Sequence, residues 1–175
     1  MNLDSALSLI REIPDYPQPG ILFRDITPLL ADQTAFEVVT ESLLSFDRSA
    51  SHIAGIEARG FILASAMAIK GGAGFVPIRK AGKLPHAVFS QSYSLEYGSA
   101  TLEIHQDALA TSSQVLLVDD VLATGGTIMA ALALIQEARG AISHVCVLLE
   151  ITALEGRARI SREFPDVQIH ALVQV

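Results

Sequence analysis

The sequence predicts a three-layer α/β fold, with a mainly parallel central sheet covered by helices on both faces. Short apolar runs of strand length alternate with amphipathic runs of helix length from His52 onward. Strands connected through helices run parallel and need cover on both faces. The 175 residues suffice for one domain with a buried core and are too few to expect two. Half of them are hydrophobic and 18% are charged, a globular balance and not that of a disordered chain.

Each element has its own signal. Leu3, Leu7 and Ile10 recur at helical spacing, so Leu3–Arg11 reads as a short amphipathic helix. Pro14, Pro17, Pro19 and Gly20 make the next stretch irregular. Thr34-Ala-Phe-Glu37 has the form of a capping box and opens a helix to about Phe46. His52–Ile56 is a strand, Gly60–Lys70 a helix and Ala73–Ile78 a strand. Ala87–Leu95 and Ser99–Ile104 are β-rich around Glu96-Tyr97-Gly98, an antiparallel excursion or a projecting flap. Val115–Val118 is a strand, and Gly126–Arg139 a helix with Ile128, Ala131, Leu132 and Ile135 on one face. Ile142–Leu149 is a strand. Thr152-Ala-Leu-Glu155 is a second capping box, opening a helix to about Ser161, and Val167–Val173 is the last strand. No repeat, low-complexity tract or linker interrupts residues 1–175, which read as a single domain. In open α/β sheets the ligand lies beyond the carboxyl ends of the strands, which points to the loops after Ile56, Ile78 and Val118.

Twelve Lys and Arg against nineteen Asp and Glu give a net charge of −7. That balance argues against nucleic acid as a partner, although a local basic patch can still hold a small polyanion. Cys146 sits in an apolar run with no activating base beside it, so it reads as a buried thiol. A lone Cys fits a reducing compartment. The first residues lack the apolar core of a signal peptide, and no apolar run is long enough to span a bilayer. A cytoplasmic protein with no membrane partner is expected. The His residues have no metal-ligand spacing, and His52 and His144 read as structural residues at strand starts.

The strongest chemical signal is Val115-Leu-Leu-Val-Asp-Asp-Val-Leu-Ala-Thr-Gly-Gly-Thr127. An apolar strand is followed by Asp119 and Asp120, where it should emerge from the sheet. Ala123, Thr124, Gly125, Gly126 and Thr127 then open a helix. Glycines let backbone N–H groups close around a phosphate with no Cβ in the way. The helix start adds unpaired donors and a favourable dipole, and the hydroxyls of Thr124 and Thr127 can donate as well. Asp119 and Asp120 would repel a phosphate. They suit ribose hydroxyls, a hydrated Mg²⁺ or positive charge developing on a sugar. The loop is not a Walker loop, for no Gly-Lys-Ser/Thr follows the glycines, and it lacks the Rossmann Gly-x-Gly-x-x-Gly. A helix start beside two solvated acids accounts for Thr-Gly-Gly-Thr alone, but not for the whole run.

This run resembles the phosphoribosyl pyrophosphate (PRPP) motif of the type I phosphoribosyltransferase family. Pro19-Gly-Ile-Leu-Phe-Arg-Asp-Ile-Thr-Pro28, Gly55-Ile-Glu-Ala-Arg-Gly-Phe61, Ile78-Arg-Lys-Ala-Gly-Lys-Leu-Pro85, Ser92-Tyr-Ser-Leu-Glu-Tyr-Gly98 and Leu102-Glu-Ile-His105 resemble its adenine-using members, in unbroken order. The resemblance implies the type I phosphoribosyltransferase fold, with an N-terminal hood over about residues 1–33 and a flap over about 86–106. It implies transfer of the phosphoribosyl group to N9 of adenine, giving AMP and pyrophosphate. Mg²⁺ would be the cofactor, held mainly through PRPP and water, with Asp119 and Asp120 as its candidate protein ligands.

The resemblance also distributes roles. Asp119 and Asp120 take the ribose side, and Ala123 through Thr127 the 5′-phosphate. Ala58, Arg59 and Gly60, with Arg79 and Lys83, take pyrophosphate, and a cis non-proline peptide is expected near Ala58–Arg59. Read alone, these would be a tight turn and a solvated basic loop. Glu96, between Tyr93 and Tyr97 on the flap, handles the proton at the base, whereas read alone it is a solvated hairpin-tip acid. Leu22, Phe23 and Arg24 supply the adenine pocket, which Leu154 closes, although Phe23 by composition is a core residue. A homodimer is implied, in which the residue matching Arg79 reaches the other subunit's site. Members often carry a further Lys near Ser99 or Gln106 and a small residue where this chain has His86, so its flap is less basic. The alternatives are a phosphoribosyltransferase for another base and a non-catalytic PRPP-sensing regulator. Glu96, the acidic balance and the lack of room for a helix-turn-helix argue against the regulator.

Overall fold

The computed structural model describes residues 1–94 and 98–175, Ser94 by its backbone alone. The chain forms two compact units, Met1–Ser42 and Leu43–Val175.

In the first unit, α1 (Leu3–Leu7) starts at Asn2, whose Oδ1 accepts the Ser5 N–H at 2.9 Å. The helix is shorter than the expected Leu3–Arg11 because Arg11 belongs to a strand. β1 (Arg11–Pro14) pairs antiparallel with β2 (Leu22–Asp25), bridged by ion pairs Arg11–Asp25 at 2.9 Å and Arg24–Glu12 at 3.2 Å. The stretch read as irregular is thus the loop of a hairpin. Asp15 is left-handed there at φ 57°, and its carboxylate accepts the Gly20 N–H at 2.8 Å. After α2 (Thr27–Ala31) comes α3 (Gln33–Leu44), which runs on into the second unit. Its start is set by Asp32, whose Oδ1 accepts the Ala35 N–H at 2.9 Å. An Asp already reaches that free donor, so Thr34 falls inside the first turn and its capping box is not used.

In the second unit the strands are β3 (His52–Ile56), β4 (Gly74–Lys80), β5 (Val88–Ser94), β6 (Ser99–His105), β7 (Gln114–Leu122), β8 (Ala141–Glu150) and β9 (Gln168–Gln174). They form one sheet in the order β5-β6-β4-β3-β7-β8-β9. β4, β3, β7, β8 and β9 run parallel. The hairpin of β5 and β6 joins the edge antiparallel, through Arg79↔Glu103 and Lys80↔Leu102. The expected excursion is therefore an extension of the central sheet.

Alternate residues of the strands serve opposite faces. Ala54, Ile56, Leu117, Val145 and Val147 pack in one core with α5 (Gly126–Glu137) and with Ile160 of α6 (Gly156–Glu163). Ile53 and Leu116 alternate with them toward α4 (Arg59–Gly71), Cys146 and Leu148 alternate likewise on β8, and each is fully buried. Each such aliphatic side chain contributes about 1.5–3 kcal/mol. The Cys146 thiol lies 3.7 Å from the Leu43 carbonyl, and burial, then the charge of Asp47, pushes its pKa up. It is the inert strand thiol that was expected.

Three local expectations differ from the structure. β7 does not end at Val118 but runs through Asp119 and Asp120 to Leu122. The second capping box is not formed: Thr152–Leu154 is a 3-10 turn, the Thr152 hydroxyl donates to the Val175 carbonyl, and α6 starts after Glu155 at φ 53°. His144 lies within β8, its Nδ1 3.0 Å from Nε2 of His170, and not at the strand's start. No helix among the described residues is long and apolar enough to cross a membrane.

Candidate active site

β4, β3 and β7 are neighbours in the sheet, so the loops after Ile78, Ile56 and the acids of β7 open at the same edge. Asp119 and Asp120 are 8% and 5% exposed. Two carboxyls side by side in β7 need compensation. Asp119 Oδ1 accepts the Asp120 N–H at 2.9 Å, and Asp120 Oδ2 lies 2.6 Å from the Arg59 guanidinium. Burial, then the neighbouring Asp120 charge, pushes the Asp119 carboxyl well up. Burial also pushes Asp120 up, against the pull of Arg59. Both are thus held ready to gain from a cation or from hydroxyl donors brought beside them.

The loop after β3 turns into α4. The Glu57–Ala58 peptide is cis, next to the expected place. Gly60 is needed by contact: a Cβ there would fall 2.9 Å from Asp119 Oδ1 and 3.0 Å from the Val118 carbonyl. The start of α4 is thereby laid directly against the acids of β7.

Arg79 and Lys83 converge on one residue that sequence reasoning quoted but gave no role, Glu57. Its Oε1 accepts from Lys83 Nζ at 2.7 Å and from Arg79 at 3.1 Å, and its Oε2 from the Lys80 N–H at 3.0 Å. Burial raises the Glu57 pKa, but the hydrogen bonds from Lys83 and Arg79 outweigh it and hold the carboxyl at about 2. Arg79 also donates to the Lys83 carbonyl at 3.2 Å, closing the basic loop on itself.

Ala123 to Thr127 form the turn between β7 and α5. Gly125 takes φ 84°, a left-handed angle that favours glycine, and opens α5. A cavity of about 130 Å³ lies over the turn, lined by Asp119, Val121 and residues 122–128. The start of α5 borders that space, and the first N–H groups of a helix have no partner within the helix itself. A larger hollow of about 570 Å³ at β9, lined by Phe46, Arg157 and His170 among others, shares no residue with this constellation.

The remaining expected residues lie on other elements. Leu22, Phe23 and Arg24 lie on β2 of the first unit, Leu22 exposed and Phe23 edge-on to Tyr16 at 5.1 Å. Leu154 is exposed on the 3-10 turn of the second unit. Tyr93 is half-buried on β5 against the main core. Glu96 and Tyr97 lie outside the described residues.

Among the described residues no group of three or more His, Cys, Asp or Glu could enclose a metal ion. The adjacent carboxyls of Asp119 and Asp120 are hard oxygen donors. They fit Mg²⁺ that takes its other ligands from substrate and water.

The phosphoribosyl transferase domain matches residues 30–171. An adenine phosphoribosyltransferase of Streptomyces avermitilis is 51% identical over 171 residues, 97% of this chain and 94% of that protein. The crystal structure of adenine phosphoribosyltransferase from Thermoanaerobacter pseudethanolicus has a TM-score of 0.92 at 43% identity, covering 99% of this chain and 100% of the other. That of Giardia lamblia, complexed with 9-deazaadenine, also reaches 0.92, at 37% identity and over 100% and 98% of the two chains. On the sequence match over nearly the whole length and the same α/β architecture, the chain belongs to the adenine phosphoribosyltransferase family.

Proposed function

We propose that this protein transfers the 5-phosphoribosyl group of PRPP to N9 of adenine, releasing AMP and pyrophosphate in purine salvage. The observation that carries the reading is the shared edge of β3, β4 and β7. A phosphate-sized turn, a buried acid pair and a basic loop stand there side by side. The adenine moiety is supported by the family and by the adenine analogue bound to the Giardia relative.

In this reading Ala123, Thr124, Gly125, Gly126 and Thr127 hold the 5′-phosphate through backbone N–H groups and the two hydroxyls. Ala58, Arg59 and Gly60 turn backbone toward pyrophosphate, and Arg79 and Lys83 exchange Glu57 for the more highly charged leaving group. Asp119 and Asp120 orient the ribose hydroxyls, and their charge favours the oxocarbenium-like centre at C1′. Mg²⁺, held by PRPP oxygens and water beside these two acids, would neutralise the charge gathering on pyrophosphate. Leu22, Phe23 and Arg24 stack and read the base, with Leu154 beside it. Glu96 manages the purine proton as N9 attacks. The flap carrying Tyr93, Glu96 and Tyr97 excludes water and so suppresses PRPP hydrolysis.

The protein works in the cytoplasm as a homodimer. Ile62, Ile69 and Phe75 are large apolar residues left 41%, 88% and 37% exposed on and beside α4, and a second copy would cover them.

A base-competition assay tests the specificity. Adenine should be consumed with PRPP, while hypoxanthine and guanine neither react nor compete. In the Glu96→Gln enzyme turnover should fall by about 100-fold or more with PRPP affinity little changed. Preference for another base would overturn the adenine assignment, and near-normal Glu96→Gln turnover the role of that acid.

A further inference from the structure

We infer that Gly156 is a positioning residue for the phosphate turn, and that the Glu150–Arg157 pair fixes where it stands. The inference rests on the proposed use of that turn for PRPP. Gly156 is buried, and a Cβ on it would fall 2.1 Å from the Ala123 carbonyl and 3.0 Å from the Gly125 nitrogen. In return, a Cβ on Gly125 would meet the Gly156 carbonyl at 3.0 Å. The start of α6 and the turn thus touch backbone to backbone, and the nearest atom, the Ala123 carbonyl oxygen, is not the end of a flexible side chain that could yield. The turn's own sequence contains no sign of this buttress. Gly156 has no positive φ, so an Ala there is acceptable to its own backbone, and the penalty lies in its contacts, first with the Ala123 carbonyl and then with Leu122 Cδ1 at 2.8 Å and the Gly125 nitrogen.

A second set of contacts sets the height of that buttress. Glu150, 3% exposed at the end of β8, accepts from Arg157 Nε at 2.9 Å and from Gln174 at 3.0 Å. Arg157 also donates to the Ile169 carbonyl of β9. The segment between Glu150 and Arg157 carries both Gly156 and Leu154, so one clamp places a contact for the phosphate turn and a residue proposed to face the base.

Titration calorimetry with PRPP and Mg²⁺, together with steady-state kinetics, separates the possibilities. Gly156→Ala should weaken PRPP binding by about tenfold or more, with KM for adenine within about twofold. Gly140→Ala is the control. Its Cβ would crowd Ile135 and Leu109 at 2.8 Å each, at the far end of α5 from the turn. It should lower the melting temperature and leave PRPP affinity alone. Arg157→Met should raise KM for both substrates, because Leu154 and Gly156 shift together. Wild-type PRPP affinity in folded Gly156→Ala overturns the inference. If that variant does not fold, unchanged affinity and KM values in Arg157→Met overturn it instead. A wild type that binds PRPP but makes no AMP would refute the proposed function, while the binding comparison still decides the role of Gly156.

Discussion

Glu57 receives three hydrogen bonds from the end of β4 and the loop after it, and these decide its protonation. Burial raises its pKa, yet the donors bring it from the ordinary 4.5 to about 2. A carboxyl depressed on folding stabilises fully above its unfolded value and loses that stabilisation as pH falls toward the folded one. Glu57→Gln should therefore cost about 1–3 kcal/mol at pH 7. By urea unfolding, the gap from wild type should narrow from pH 4.5 down to about pH 2, the range between the two values. A gap unchanged from pH 7 to 3 would mean that the carboxylate charge is not its source. Nothing in the sequence marks this residue beyond its place in a motif, since Arg79 and Lys83 are 22 and 26 positions away. Asp119 and Asp120, by contrast, stand out in the sequence as an acid pair directly after an apolar run. Their burial was not legible, because acids ordinarily mark the end of a strand, whereas here Arg59 and the close approach of Gly60 keep them inside one.

At the scale of elements, legibility followed burial. β3, β7 and β8, with α4 and α5, are driven by continuous apolar runs or an apolar helix face, and their cores were readable to within a few residues. The ribbon of β1 and β2 was missed because its strands have four residues each and no buried one, so no apolar run marks them, and the ion pairs that bridge them join residues far apart in sequence. Both capping boxes failed for a related reason. Asp32 captured a donor ahead of Thr34, and the tertiary bond from Thr152 to the Val175 carbonyl displaced a local cap. The turn proposed to hold the phosphate was legible as a turn into a helix from Ala123 to Thr127. The backbone behind it, Gly156, lies one strand and a short turn further along the chain and carries no motif.

For the whole molecule, the apolar residues left on α4 make assembly a physical question. Ile62 and Ile69 are seven positions apart, which places them on one helix face. Light scattering at micromolar concentration should give twice the 18.7 kDa of one chain, and Ile69→Glu should shift the protein toward the single chain. A monodisperse monomer in the wild type would contradict the dimer. The reaction itself is tested by AMP formation from adenine and PRPP with Mg²⁺, followed with and without EDTA. Stoichiometric AMP and pyrophosphate are expected, abolished by EDTA and restored by excess Mg²⁺. Folded protein that binds PRPP and yields no AMP would contradict the proposed reaction and leave the site as one for sensing.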